Sequence, residues 1–207
     1  QYGNKLPLLV KFIDARRDLS IQVHPDDEMA RRVHGKSGKT EMWYVIDAQP
    51  GSYLYAGFKS HISPYEYRKR VQDGSIEEVL ARHEVKAGDV FFLPAGRIHA
   101  ICGGILLAEV QQSSDVTYRI FDYNRPGMDG KPRELHVEQA KYAIDYQVWP
   151  EYRTSYDSTK PNSQLISCPY FNVNRVVVQV AAEIDFKVDS FVVVVCLWGE
   201  ANINGIK

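Results

Sequence analysis

The sequence has no long apolar run, no paired cysteines and no excess of charge of one sign. Its longest apolar stretch, 191–198 (FVVVVCLW), is far too short to span a membrane, and its β-branched residues predict a buried strand. The 3 cysteines lie far apart without a C-x-x-C pair, which argues against a disulfide framework and a thiolate metal site. A net charge of -1 gives no field that would attract nucleic acid or an anionic membrane. We therefore expect an ordinary soluble protein of the cytoplasm, with neither kind of partner.

What is present is a series of short β-type segments separated by Gly, Pro and Asp. Such spacing predicts a mainly β fold, an antiparallel sandwich or barrel. The chain lacks an initiator Met and stops just after two strand patterns, so we expect a fragment of a longer protein. The predicted strands cover residues 8–13, 19–24, 41–46, 53–56, 90–93, 105–111 and 116–121, and a further strand starts at His99.

A helical insert is predicted at 62–84. Ser63 precedes Pro64 and has a Glu three residues later, which is typical of a capped helix start and predicts a helix over 64–73. Ser75 repeats the pattern and predicts a second helix over 76–83.

Two more helices are predicted outside this insert. One follows Pro25, and Asp26 and Asp27 favour its positive end, so we interpret both as capping residues and not as catalytic ones. The other is compatible with the apolar spacing of 134–146.

The pattern changes towards the end of the chain. A polar and aromatic stretch without clear period predicts a linker or wrapping segment at 148–162, which closes a first domain of residues 1–147. Strand patterns return at 170–180 and 191–198 and predict a partial second β domain over 163–207.

Four polar side chains at strand ends are candidate metal ligands. Gln22 and His24 share one face of an alternating strand, because successive side chains point to opposite faces. Glu41 begins one strand, and a turn delivers His99 to the start of another. The alternatives are a strand end that faces water for the first pair and a buried histidine bonded to backbone for His99.

Five motifs carry a resemblance to known proteins. The spacing G-x5-P-x-G-x-x-H over 88–99 is similar to the second motif of the cupin barrels. The chain also contains Q-x-H-P-D-D from Gln22, G-K-x-E-x-W-Y from Gly38, P-A-G-x-x-H-A-I from Pro94 and L-A-E-x-Q-Q-S-S-D-x-T-Y-R from Leu107. With these motifs it resembles the type I phosphomannose isomerases in their shorter bacterial form.

The resemblance implies a fold, a metal and an activity. The fold would be a cupin jelly-roll barrel with short helical inserts and the beginning of a second cupin-like module. One zinc per chain would be held by Gln22, His24, Glu41 and His99, a ligand set that would also accept Mn, Co or Fe. The activity would be the interconversion of mannose 6-phosphate and fructose 6-phosphate through an enediol.

Three residues are candidates for the chemistry. The resemblance places Arg119 beside the metal, where a fixed cation could hold an enediolate or the phosphate, unless it pairs with a nearby aspartate. Lys39 shares a strand face with Glu41 and could serve as base, and Glu109 is a third candidate for proton transfer. Larger family members carry a His where this chain has Gly38, so ring opening would be handled differently here.

The substrate phosphate has weaker candidates. Arg125, Lys131 and Arg133 lie close together in 124–134 and could bind it, although a solvated loop would look the same. Another metal-dependent cupin activity, such as a dioxygenase or sugar epimerase, or a sugar-binding cupin without turnover, would share the barrel and ligands. The sequence does not indicate an oligomeric state.

Overall fold

The computed structural model describes residues 6–127, 129–184 and 190–203, in which β-strands predominate. The described strands are β1 (Leu8–Ala15), β2 (Ile21–Val23), β3 (Glu41–Ala48), β4 (Tyr53–Phe58), β5 (Leu80–Glu84), β6 (Val90–Leu93), β7 (His99–Ile101), β8 (Ile105–Gln112), β9 (Tyr118–Phe121), β10 (Asn162–Ser167) and β11 (Asn172–Val176). The helices are α1 (Asp27–His34), α2 (Pro64–Gln72), α3 (Val137–Ala143) and one 3-10 turn, Ile76–Val79.

Two antiparallel sheets form the body of the protein. One has the strand order β1-β8-β3-β6 and the other β5-β4-β7-β2-β9, so neighbours in space are mostly distant in sequence. The sheets face each other across an apolar core, as in a jelly roll. The expected mainly β, jelly-roll fold is confirmed.

Strand alternation decides what enters the space between the sheets. On β3, Trp43 and Val45 point into this inner core, whereas Met42 and Tyr44 point outwards to a separate cluster. Glu41 has the same parity as Trp43 and is fully buried, so its carboxylate lies at the end of the inner core. The other buried members of this core are Ala15, Leu54, Ala56, Ala81, Val85, Phe91, Leu93, Ile101, Ile105, Leu107 and Tyr152.

Helices cover the outer face of the five-stranded sheet. Ile21 and Val23 of β2 are fully buried there, in one cluster with Tyr67 of α2 and Ala140 of α3. The strand is therefore held by its apolar face while its polar face is turned to the space between the sheets.

Two helices are capped by the side chains that the sequence predicts, and the other predicted caps are not observed in the described residues. The Ser63 side chain accepts a hydrogen bond from the Glu66 amide, and Asp26 accepts one from the Met29 amide at 2.8 Å. Asp27 does not cap, because its carboxylate accepts a hydrogen bond from the amide of Gly38. Asp27 therefore lies in the first turn of α1, as predicted, but its side chain accepts from outside the helix and does not cap it.

The predicted helix over 76–83 is also wrong in its second half. Ser75 provides no side-chain cap, and after the 3-10 turn the chain becomes β5 and pairs with β4. The ladder supplies backbone hydrogen bonds that outweigh a weak local helix preference. The last helix is shorter than the predicted 134–146, since α3 ends at Ala143.

The stretch beyond α3 runs along the sandwich. Tyr152 enters the inner core, and an isolated bridge joins Arg153 to Phe91 of the edge strand β6. The hairpin of β10 and β11 then packs on the outer face of the four-stranded sheet, where Leu165 and Phe171 contact its apolar side chains.

The apolar run 191–198 forms no strand in the described part of the chain. Val193 is 55% exposed and Trp198 61% exposed, so the predicted buried strand is wrong. A strand is stable only beside another strand that satisfies its backbone groups, and no ladder is described for this run. Residues 204–207, where the chain ends, lie outside the described residues.

None of the described helices has the length and apolar character that crossing a membrane requires.

Candidate metal centre

Three buried side chains from three strands meet at one end of the inner core. His24 lies just after β2, Glu41 begins β3 and His99 begins β7. The Nε2 atom of His24 lies 3.4 Å from Oε2 of Glu41, and Nε2 of His99 lies 3.2 Å from Oε1. Their potential ligand atoms all lie within 4.8 Å of one another.

Backbone carbonyls set the tautomer of both histidines. Nδ1 of His24 lies 3.0 Å from the carbonyl oxygen of Val116, and Nδ1 of His99 lies 2.7 Å from that of Arg97. Because a carbonyl oxygen only accepts, each Nδ1 carries the proton and donates. Each Nε2 is the ring nitrogen that faces Glu41, and a backbone hydrogen bond at the other nitrogen is how metal-binding histidines are held.

The charges of the site are arranged for a cation. Complete burial acts to raise the pKa of Glu41. The nearby His24, His99 and Lys39 outweigh this effect and bring the pKa well below its usual value. Burial lowers the pKa of His99 to about 4. The carboxylate is thus ionised and the His99 imidazole neutral near pH 7, and both are the ligand forms that metals bind.

The three residues fit a divalent metal. Nε2 of His24 and both oxygens of Glu41 are buried without a hydrogen bond, and such atoms are costly unless another group satisfies them. Tetrahedral ligands at about 2.0–2.1 Å from zinc are separated by about 3.3–3.4 Å. The observed separations of 3.2 and 3.4 Å agree with this spacing.

Gln22 lies beside this group. It pairs in register with His99 on one side and with Arg119 on the other. Its Nε2 lies 3.3 Å from Nε2 of His99. A half-turn of the amide exchanges nitrogen for oxygen at that position, so the side chain can present Oε1 to a metal.

Lys39 is the cation closest to the carboxylate among the described residues. Its Nζ lies 3.1 Å from Oε2 of Glu41, and the residue is 6% exposed. A lysine with so little water around it and one carboxylate partner is held in place beside the ligands.

Arg119 lies next to Gln22 and does not form the aspartate pairs that were the alternative. Asp115 pairs with Lys36, and Asp122 pairs with other arginines. The Arg119 side chain donates to the carbonyl oxygen of Glu134 at 3.0 Å, while its Nε is buried without a partner. Burial and neighbouring arginines lower its pKa, although it stays charged at neutral pH.

Glu109 belongs to a hydrogen-bonded network further inside the sandwich. Its Oε1 accepts from Lys11 at 3.0 Å and its Oε2 from the indole of Trp43 at 2.9 Å. The ring of Trp43 meets His99 edge-on at 5.3 Å between centroids. Lys11 also donates to the side chain of Gln111. Each of the two oxygens of Glu109 therefore accepts one hydrogen bond.

The network contains two residues, Lys11 and Gln111, that were not predicted from the sequence. Lys11 shares a strand face with Ile13 and Ala15, and Gln111 shares one with Glu109. A charged residue on the otherwise apolar face of β1 was the available signal for Lys11. For Gln111 the signal was its spacing of two residues from Glu109.

The three candidates for phosphate binding are only partly brought together. Arg125 and Arg133 both pair with the buried carboxylate of Asp122, and both act electrostatically on Arg119. Lys131 is exposed, and its described hydrogen bonds are those of its backbone amide and carbonyl groups.

Comparison with known proteins points to one family. Residues 1–50 match the family model described as phosphomannose isomerase type I, catalytic domain. The mannose-6-phosphate isomerase ManA of Bacillus subtilis (strain 168) is 41% identical over 177 residues, which cover 84% of this chain and 56% of that protein. A mannose-6-phosphate isomerase of Streptococcus mutans serotype c is 38% identical over 180 residues, covering 84% of this chain and 57% of that protein.

A solved structure shares the fold as well. The crystal structure of the mannose 6-phosphate isomerase from Bacillus subtilis superposes with a TM-score of 0.75 at 38% identity, and the match covers 83% of this chain and 56% of that one. The chain thus spans somewhat more than half the length of these relatives.

Proposed function

Because this chain belongs to the type I phosphomannose isomerase family, we propose that it interconverts mannose 6-phosphate and fructose 6-phosphate in the cytoplasm. The substrate is then a phosphorylated hexose. One observation carries the proposal: the Nε2 atoms of two buried imidazoles converge on a buried carboxylate, whose oxygens accept no hydrogen bond from the described residues, next to a buried lysine. Residues of this kind would hold a divalent metal, with Lys39 beside it as a group that can transfer a proton.

The metal of the proposal is one zinc per chain, held by His24, Glu41, His99 and the amide oxygen of Gln22. Nitrogen and oxygen ligands without thiolate suit zinc and would also accept manganese, cobalt or iron. When bound, zinc supplies Lewis-acid chemistry that polarises the sugar oxygens.

Lys39 is the proposed proton-transfer group. An aldose to ketose isomerisation moves a proton between neighbouring carbons and needs a positioned acid or base. The Nζ atom of Lys39 lies 3.1 Å from a carboxylate oxygen of Glu41, and the residue is almost fully buried beside the candidate ligands.

Arg119 is the proposed stabiliser of negative charge. Its guanidinium is held by one hydrogen bond to a carbonyl oxygen and keeps a buried Nε without a partner. A fixed cation with a free donor can bind the oxygen that becomes negative in an enediolate.

Glu109 is the third catalytic candidate. Its two oxygens accept one hydrogen bond each, from Lys11 and from Trp43, whereas Lys39 contacts the candidate ligand Glu41 directly. The arrangement favours Lys39 as the group that moves the proton.

The phosphate of the substrate is assigned to Arg125, Lys131 and Arg133. The two arginines carry more positive charge than Asp122 neutralises, and they lie near enough to Arg119 to affect its pKa. Guanidinium groups bind phosphate well, because two of their N–H groups can donate to it at once.

A second β module is also part of the proposal. The β10–β11 hairpin has its own ladder, and the relatives are nearly twice as long as the matched part. We assign residues 1–147 to the metal-binding domain, 148–162 to a connection and 163–207 to the start of the second module.

A coupled assay of mannose 6-phosphate turnover tests the proposal. The zinc-loaded protein should turn over substrate, lose activity in a chelator and regain it on addition of zinc. Arg119→Ala should keep its zinc and lose at least about 100-fold in kcat, the usual cost of removing a charge-stabilising donor. Full zinc binding without turnover would contradict the isomerase and indicate a sugar-binding cupin.

A further inference from the structure

The carboxylate of Asp27 holds three separate parts of the chain together. Oδ1 accepts hydrogen bonds from the Gly38 amide at 2.8 Å and from the side chain of Gln112 at 3.2 Å, and Oδ2 accepts from the hydroxyl of Tyr170 at 2.9 Å. Although burial acts to raise it, these hydrogen bonds leave the pKa of Asp27 below its usual value. The group is therefore a charged acceptor that connects α1, the segment before β3 and the turn of the β10–β11 hairpin.

The segment before β3 is anchored at three consecutive amides. Gly38 donates to Asp27, and Lys39 donates to the carbonyl oxygen of Pro25 at 3.2 Å. Thr40 donates at 2.8 Å to the side chain of Gln112, which itself donates to Asp27. Asp27 thus fixes the amides on both sides of Lys39, one directly and one through Gln112.

Close packing leaves this segment little freedom. A Cβ atom at Gly38 would come within 2.5 Å of the backbone of Asp26 and Asp27, so the segment lies directly on the start of α1. The Nζ atom of Lys39 extends from it to 3.1 Å from Glu41. The position of the ammonium group therefore depends on how the backbone at 38–40 is held.

We infer that Asp27 is a positioning residue for Lys39, which it aligns by fixing the amides of Gly38 and Thr40. The inference rests on the proposed function in one respect, since it takes Lys39 as the group that transfers the proton. The metal ligand Glu41 is fixed independently by ladders with β6 and β8. Loss of Asp27 should therefore shift the position of the Lys39 side chain and leave metal binding unchanged.

The neighbouring Asp26 provides a matched control, because it lies on the same helix start and only caps it. Asp27→Ala should lower kcat by about 10- to 100-fold, as supporting residues commonly do, with KM and bound zinc unchanged. Asp26→Ala should lower Tm while kcat stays within about 2-fold, because a lost cap weakens only the helix. Asp27→Asn keeps an oxygen for the Gly38 amide and should restore most of kcat.

A double-mutant cycle identifies the residue through which Asp27 acts. In a Lys39→Met background, Asp27→Ala should have almost no further effect on kcat, because the side chain to be aligned is gone. The inference is overturned if Asp27→Ala acts with full size in that background, releases zinc, or lowers kcat no more than Asp26→Ala does.

Amide hydrogen exchange tests the structural step without activity. Asp27→Ala should speed exchange of the Gly38 and Thr40 amides relative to wild type, and Asp26→Ala should not. If the wild-type protein showed no isomerase activity, the proposed function would fail, and this measurement would still decide whether Asp27 anchors the segment. Unchanged exchange in Asp27→Ala would overturn the inference.

Discussion

At the scale of single residues, burial decides which side chains bind protons. His83 lies between the two sheets, where its Nε2 contacts the carbonyl oxygen of Ala56 and its ring packs against Phe91 and Tyr152. Burial and the nearby Arg153 lower the pKa of His83 below its usual 6.5. The folded protein therefore holds this imidazole neutral at pH values where the unfolded chain protonates it.

Stability should consequently fall as the pH falls below about 6.5. In that range the unfolded state binds more protons than the folded state at His83, and the slope is at most about 1.4 kcal/mol per pH unit for one group. Thermal melts between pH 7 and pH 5 should show a decreasing Tm, and a His83→Gln variant should show a smaller decrease. An equal decrease in both proteins would contradict the assignment to His83.

The sequence predicts single residues well where chemistry and spacing coincide. Strand ends offered His24, Glu41 and His99 as separate candidates, the family resemblance implied that they share one metal, and the structure brings the three together. Asp27 and Lys11 were misread or missed because their partners are remote in sequence. The Lys11 to Glu109 pair, for instance, joins β1 to β8.

At the scale of elements, the stretch after α3 closes one side of the sandwich. The hydroxyl of Tyr152 donates to the carbonyl oxygen of Phe58 at 2.8 Å, and its ring lies against the backbone of Gly57. Gly57 has a φ of +77°, and a Cβ atom there would lie 2.1 Å from the Tyr152 ring. The strand and the closing stretch can approach this closely only through glycine.

Gly57→Ala should therefore destabilise the protein by about 2–5 kcal/mol, through both backbone strain and overlap with a buried ring. Gly51→Ala is the control, because Gly51 has a φ of +80° and open space around its Cβ position. It should cost only about 1 kcal/mol, the strain alone. Denaturant unfolding of the two variants measures the difference, and equal losses would show that Tyr152 does not restrict this position.

Elements were predicted from the sequence where the local pattern was strong. The seven strand segments predicted between residues 8 and 121 and the capped helix α2 were all found, with ends shifted by a few residues. The strand β5 was not, because its local signal resembles a helix and only pairing with β4 makes it a strand. The opposite error occurs at 191–198, where a strong strand propensity predicts a strand but no pairing with another strand is described.

At the scale of the whole molecule, two kinds of packing support the metal centre. The inner core fixes the strands that carry the ligands, and the helices and the β10–β11 hairpin cover the two outer faces. Through Tyr170 and Asp27 the hairpin also reaches the segment that carries Lys39. The site is thus built by elements from nearly the whole described chain, although its ligands come from three strand ends.

The central claim is that His24, Glu41 and His99 hold one metal ion. Anomalous diffraction at the zinc absorption edge, on crystals grown from zinc-loaded protein, tests it most directly. We expect a single strong peak at about 2.0–2.2 Å from Nε2 of both histidines and from an oxygen of Glu41. A zinc peak elsewhere in the molecule, with none between these three side chains, would contradict it.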